Sequence, residues 1–205
     1  MLFSILICSL PSRKEVLQKQ LLATLEKQLP KTYCESLDEK EYLIEKFIAG
    51  NVEIIVCTDN KTMSVGAKRN LLIKHATGEY VAFIDDDDDA TDNYVASILS
   101  KLQSRPDVVV FNAVRYENLN FDRTVIYGTE YEDRTQGKFY YRAPNHLMVI
   151  RKGIAERIKF KDISFGEDAD FAKRIKPHLK KQERIFDVLY HYLFDSEKTE
   201  TQKNR

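Results

Sequence analysis

Apolar residues in this chain follow two periodicities, and their succession outlines the fold. Nearly unbroken apolar runs occupy residues 3–8, 52–57, 80–84 and 108–111. Their brevity and their β-branched and aromatic content predict strands buried on both faces. Between them the spacing changes to the helical one. Val16, Leu17, Leu21, Leu22, Leu25 and Leu29 predict a helix of about four turns that stops at Pro30. Residues 67–76 read as a second helix, and Tyr94, Val95, Ile98, Leu99 and Leu102 form another helical stripe. Residues 31–50 are polar and charged, with a short helix predicted around 42–48.

Strand and helix alternate as far as residue 111, which predicts an α/β fold with a mostly parallel central sheet and helices on both faces. Beyond Asn112 the pieces are short, aromatic and β-branched (Tyr116, Phe121, 125–127, 139–141), which predicts hairpins in a small antiparallel subregion. Residues 146–151 and 185–192 read as further strands, 165–171 open a helix, and 196–205 form a polar tail. The expected organisation is one domain with two halves, 1–111 and 112–195. In parallel sheets ligands bind beyond the carboxyl ends of the strands. Ser9, Asp59 and an aspartate run all sit at such ends, so they should line one crevice.

That run is Asp85 to Asp89, five acids directly after a buried strand. Adjacent carboxylates repel one another unless a cation or solvent relieves them. A hard divalent cation takes oxygen ligands from one or two carboxylates and from phosphate oxygens, so the run suggests Mn²⁺ or Mg²⁺ bridging a phosphorylated substrate. The bland alternative is a solvated acidic loop. Elsewhere the charges cancel, with 32 basic and 32 acidic residues, so no global field argues for nucleic acid or a membrane surface. Cys8, Cys34 and Cys57 lack C-x-x-C spacing, which argues against a disulfide framework or a thiolate zinc site. Cys8 and Cys57 read as small buried hydrophobes in a reducing compartment. The apolar start, residues 1–10, lacks a basic leader and a cleavage site, and reads as a first strand. No run approaches the length of a membrane span. The setting expected is cytoplasmic, with peripheral attachment to a membrane left open.

Four segments then carry a resemblance: F-S-I-L-I-C-S-L-P-S-R, V-E-I-I-V-C-T-D-N, G-A-K-R-N-L-L-I-K-H-A-T-G-E-Y-V-A-F-I-D-D-D-D and F-G-E-D-A-D-F. In that order they resemble a family 2 glycosyltransferase of the GT-A fold, and Y-H-Y-L-F-D-S is similar to the family's C-terminal strand. The resemblance implies a metal-dependent transfer, with inversion, from a UDP-sugar to a hydroxyl on a glycan or other acceptor. The donor would sit on residues 1–111 and the acceptor on 112–195. Asp59 would contact the nucleotide base, with Cys8 and Ser9 lining its pocket. Asp85, Asp86 and Asp87 would form the D-x-D motif, with Asp87 the direct metal ligand, Asp85 beside it and Asp86 the spacer. Lys68 and Arg69 would lie near the diphosphate, Asp168 would be the catalytic base with Glu167 beside it, and His191 would be a further metal ligand. The family often has two adjacent acids where this chain has Thr58-Asp59.

Each role has a plainer alternative. Lys68 and Arg69 could be a solvated helical face, Asp59 a turn residue, and Glu167 and Asp168 ordinary helix-start acids. At about 100° per residue, Phe171, Ala172 and Ile175 define an inward stripe with Asp168 near its middle and Asp170 opposite. His191 could equally be a core histidine. His146 could line the acceptor side, and His75 and His178 read as surface residues. Two rival functions remain. One is a non-catalytic nucleotide or cation-binding module. The other is a haloacid-dehalogenase-like phosphotransferase, whose string Asp87-Asp88-Asp89-Ala90-Thr91 matches, but two residues out of register with the end of the strand.

Overall fold

The computed structural model describes residues 1–29 and 33–195. Pro30 and the tail 196–205 lie outside the described residues. β1 (Phe3–Ser9) is followed by a 3₁₀ turn (Pro11–Arg13) and then by α1 (Lys14–Leu17). A π-helical turn (Gln18–Leu22) leads on into α2 (Ala23–Gln28). The predicted long helix is therefore one rod with a wider turn in its middle, and it buries Leu17, Leu21, Leu22, Leu25 and Leu29.

The predicted helix around 42–48 is a strand. β2 (Tyr33–Asp38) and β3 (Tyr42–Ala49) form an antiparallel pair, and β3 pairs antiparallel with β4 (Val52–Asp59). Leu43, Ile44, Phe47 and Ile48 are spaced as a helical stripe, yet in the strand only Ile44 of these is fully buried. The two-residue link Gly50-Asn51, with Gly50 at φ +59°, makes the hairpin, because glycine takes the left-handed turn without steric cost. Pairing with the exposed edge of β4 outweighs a weak local preference.

Four helices and eight strands follow. They are α3 (Val65–His75), β5 (Tyr80–Phe83), β6 (Asp89–Ala90), α4 (Tyr94–Leu102), β7 (Val108–Glu117), β8 (Asn120–Tyr127), β9 (Arg134–Gln136), β10 (Phe139–Arg142), β11 (Val149–Arg151), α5 (Lys152–Ile158), α6 (Glu167–Ile175) and β12 (Gln182–Phe194). The sheet runs β2-β3-β4-β1-β5-β11-β7-β8-β10-β9, with β12 joined to β7 and to β6. β1 lies parallel to both β4 and β5, with Ile5 opposite Ile54 and Ala82. Phe3, Ile5, Leu6 and Ile7 are wholly buried, as expected of a strand covered on both faces.

The sheet departs from simple alternation at β11, which is antiparallel to β5 and β7 and lies between them. The hairpins expected after Asn112 are present as β7/β8 and β9/β10, although β10 runs parallel to β8. Tyr116 lies within the long β7, not in a separate piece. α5 has no counterpart among the predicted elements.

A buried glutamate ties the amino ends of the central strands together. Glu53 on β4 accepts hydrogen bonds from Ser4 Oγ (2.6 Å), Thr77 N (2.6 Å), Thr77 Oγ1 (2.9 Å) and Gly78 N (3.2 Å). A Cβ at Gly78 would come within 2.5 Å of Ser4 Oγ and 2.8 Å of Ser4 N, so only glycine allows this approach. Glu53→Ala strands these donors in a dry interior and should lower unfolding stability by about 3 kcal/mol. An unchanged denaturation midpoint would refute that role.

Candidate active site

The carboxyl ends of β1, β4 and β5 meet at the acidic run, and the five aspartates there have five different environments. Asp85 faces Arg69 Nη2 at 3.2 Å and His146 Nε2 at 3.5 Å. Burial opposes its ionisation, but His146 and Arg69 hold its carboxyl well below the usual range. Asp86 is buried and accepts from Arg13 Nη1 (2.7 Å) and Ser9 Oγ (2.9 Å). Asp87 is 40% exposed and lies 3.1 Å from Arg13 Nη1. Burial pushes its carboxyl up to about 6, with Asp85 and Asp86 adding to the shift and Arg13 opposing it.

Asp88 is turned inward and is 2% exposed. Tyr190 Oη donates to its Oδ2 (2.6 Å) and Leu193 N to its Oδ1 (2.7 Å). The same tyrosine oxygen accepts from Asp85 N at 3.2 Å. Asp88 thereby pins the acidic loop to β12. Burial, with Asp85 and Asp87 nearby, pushes its own carboxyl well up. Asp89 accepts from Ala90 N (2.8 Å) and starts β6.

Lys68 and Arg69 are buried, not solvated, at 5% and 4% exposure. Ser64 caps α3 by accepting from Ala67 N (3.0 Å), which sets the helix against the strand ends. Lys68 pairs with Asp59 and donates to Ser9 O at 3.0 Å. Asp59 Oδ2 also accepts from Thr62 N (2.8 Å) and Met63 N (3.2 Å). Burial disfavours its charge, but Lys68 and these bonds keep the carboxyl below its ordinary value. Asp59 thus shapes the turn, and it shares Lys68 with the Ser9 carbonyl.

Arg69 is the hub. Its Nη1 donates to Glu167 Oε1 (2.9 Å), and its Nη2 reaches Asp85 and lies 3.1 Å from His146 Nε2. Its guanidinium carbon lies 5.6 Å from the Phe83 ring centroid and 5.4 Å from that of Phe160. The loop before α6 is fastened to α3 by other bonds. Asn70 exchanges two 2.9 Å hydrogen bonds with the Phe160 backbone, and Gly66 N donates to Ile163 O at 3.0 Å. A Cβ on Gly66 would meet Lys161 O at 1.8 Å.

At the start of α6 the sequence expectation needs correction. The acid turned inward is Glu167, on the line of Phe171 and Ile175, and burial raises its carboxyl despite Arg69. Asp168, expected in the middle of that stripe, is half-buried on its flank. Its charge adds in a minor way to the shifts of Arg69, Tyr127 and Arg142, so these groups lie within electrostatic reach of it. Asp170 is bound to Lys161 and Arg174, both at 2.6 Å.

Cys8 is half-buried, and burial pushes its thiol up to about 12 against the pull of Arg69 and Lys68, so it stays a neutral thiol near these two cations. His191 is half-buried, packs edge-on against Tyr116 with centroids 5.7 Å apart, and lies opposite Asp89 in the strand register. Among the described residues, no three His, Cys, Asp or Glu side chains form a ready-made cation cage. His146, read as a residue of the acceptor side, joins the Arg69–Asp85 cluster. Arg13 and Tyr190 were not singled out from sequence. Arg13 follows β1 in the first resembling segment, and that position was the available signal.

A sheet of this order, with its acids gathered at the carboxyl ends of parallel strands, is the GT-A architecture. Residues 35–160 match the family model "Glycosyl transferase family 2", and the chain belongs to that family. Over 176 residues it is 26% identical to the minor teichoic acid biosynthesis protein GgaB of Bacillus subtilis (strain 168), a match covering 77% of this chain and 18% of that protein. Among solved structures it is similar to a 1–349 fragment of S. aureus TarS in complex with UDP (TM-score 0.64, 15% identity), covering 94% of this chain and 60% of that one. The same fragment with UDP-GlcNAc gives a TM-score of 0.63 at 14% identity, covering 94% of this chain and 58% of that one. The chain thus spans less than a fifth of the GgaB length and about three fifths of the TarS fragment. Among the described residues no helix is long and apolar enough to cross a membrane.

Proposed function

We propose that this chain transfers a sugar, with inversion, from a UDP-sugar to an acceptor hydroxyl, and that it does so with Mn²⁺ or Mg²⁺. One observation carries the reading. Arg69 bonds both Asp85 on the acidic loop and Glu167 at the head of α6, which ties together the two segments that carry Asp87 and Asp168. Family membership supports the reaction class, and UDP is the nucleotide of the TarS complexes. The name of the GgaB relative suggests teichoic acid assembly as a setting.

The residues suit a hard cation. Asp87 offers a partly exposed carboxylate whose ionisation burial and the adjacent Asp85 and Asp86 resist. A cation held there would offset the charge that develops on the departing diphosphate. Ser9, Asp59 and Lys68 form the floor on which the nucleoside would rest. Asp168 would take the proton of the acceptor hydroxyl as that oxygen attacks the anomeric carbon, and Glu167 holds α6 in place through Arg69. The setting proposed is the cytoplasmic side of the cell, at or near a membrane surface.

A thermal-shift screen of nucleotide sugars with Mn²⁺, followed by transfer assays, tests the reading. One donor should stabilise the chain in proportion to ln(1 + [L]/Kd). Protons compete with the metal at Asp87. Mn²⁺ affinity should therefore be constant above pH 7 and fall by about tenfold per pH unit below about 6. Failure of every nucleotide sugar to stabilise the chain would sink the proposal and favour a different ligand.

A further inference from the structure

Arg13 is the cation that the acidic loop holds in this structure. It lies on the 3₁₀ turn after β1, and its Nη1 sits between two carboxylates, 2.7 Å from Asp86 Oδ1 and 3.1 Å from Asp87 Oδ2. Its side chain is 25% exposed, so it is partly open to solvent. The other acids have partners of their own: Asp85 has Arg69 and His146, Asp88 has Tyr190 and the Leu193 amide, and Asp89 has the Ala90 amide. Asp86 keeps Ser9 Oγ even without Arg13. Asp87 is thus the carboxylate whose environment changes most if Arg13 leaves.

We propose that Arg13 is an exchangeable counter-cation: it occupies Asp87 while no metal is bound, yields it to a divalent cation, and moves to the donor's diphosphate. This rests on the metal-dependent reading above. The chemistry favours the exchange. A dication gains more from Asp87 than a guanidinium does, and the released fork of N–H groups matches two phosphate oxygens. The 3₁₀ turn lies at the carboxyl end of β1, the edge of the sheet where a diphosphate would lie. A metal arriving alone must part Arg13 from these carboxylates with no phosphate to receive it. A metal arriving with a diphosphate gives Arg13 a new partner. Metal and nucleotide therefore bind with positive coupling beyond their direct contact, and Arg13 supplies that added part.

Mn²⁺ binding, measured by the loss of the free Mn²⁺ paramagnetic resonance signal with and without UDP, tests the exchange and needs no turnover. For the unaltered chain, UDP should tighten Mn²⁺ binding by about tenfold or more. In Arg13→Gln, Mn²⁺ alone should bind about fivefold more tightly, because its competitor is gone, and the coupling should shrink to about twofold. Arg13→Lys retains a competing charge and should resemble the unaltered chain in metal affinity while losing part of the coupling. It also serves as the second variant should the glutamine form fold poorly. If Arg13 merely braces the loop, Arg13→Gln binds Mn²⁺ more weakly and keeps its coupling, which overturns the proposal. Equal Mn²⁺ binding in all three forms overturns it as well and leaves the metal site standing. Mn²⁺ binding by none of them, with or without UDP, overturns both the exchange and the metal-dependent reading.

Discussion

Asp168→Asn is expected to lower kcat for sugar transfer by about 10³-fold while leaving donor and Mn²⁺ affinity within about twofold. The substitution keeps the shape and removes the basic oxygen. Under the proposed reading the base is Asp168 and not Glu167, because Glu167 is buried and bound to Arg69. Asp170 is held by Lys161 and Arg174 on another face of the helix. The Asp168 side chain makes one local bond, from Ala169 N at 2.8 Å, so asparagine should cost little stability. Single-turnover transfer with saturating donor separates the chemical step from binding. Full turnover by the asparagine form would remove Asp168 as the base. A matching loss in Glu167→Gln, with donor affinity intact, would shift the role to its neighbour.

Arg69→Met should be the most damaging single change to the fold of the site. Methionine fills much of the stem's volume between Phe83 and Phe160 but brings no charge. Asp85 and Glu167 would then be left buried or half-buried without their shared cation. Breaking such a pair from one side costs about 3–5 kcal/mol. Denaturant unfolding reads this directly, and UDP binding should be lost together with the alignment of the acidic loop and α6. Arg69→Lys keeps the charge but cannot reach Asp85, Glu167 and His146 from one planar group, so it should fall between the two. Wild-type stability in Arg69→Met would mean that the two carboxylates find other partners, and that Arg69 is not the link between the acidic loop and α6.

Much of the fold was legible in the chain because buried strands and amphipathic helices carry strong periodicities. The runs ending at Cys8, Cys57 and Ile84 are strands that cannot be solvated, and their alternation with helices leaves few topologies. The exception, 42–48, shows the limit of that reading. Its apolar spacing suits a helix, but pairing with β2 and β4 makes it a strand. The Gly50-Asn51 pair was a local hairpin signal that outweighs the stripe. β11 lies within the strand read at 146–151, but its insertion between β5 and β7 is a long-range pairing that no local pattern states.

The sequence by itself determined that acids gather at the end of a buried strand, that Asp59 and Ser9 lie at neighbouring strand ends, and that an acidic helix start follows. Those features depend on local order along the chain, which the residues state directly. The tertiary structure decided how the charges are shared. Asp88 is spent on Tyr190, Asp86 on Arg13 and Ser9, and Asp85 on Arg69 and His146, while Asp87, 40% exposed, shares Arg13 with Asp86. It also decided that Glu167, not Asp168, turns inward, and that Lys68 and Arg69 are buried. Each of these outcomes depends on a partner 16 to 105 residues away, as the Arg69–Asp85 and Asp88–Leu193 separations show. The ionisation of a carboxylate is set by its neighbours in space, and no reading of one strand end could assign them.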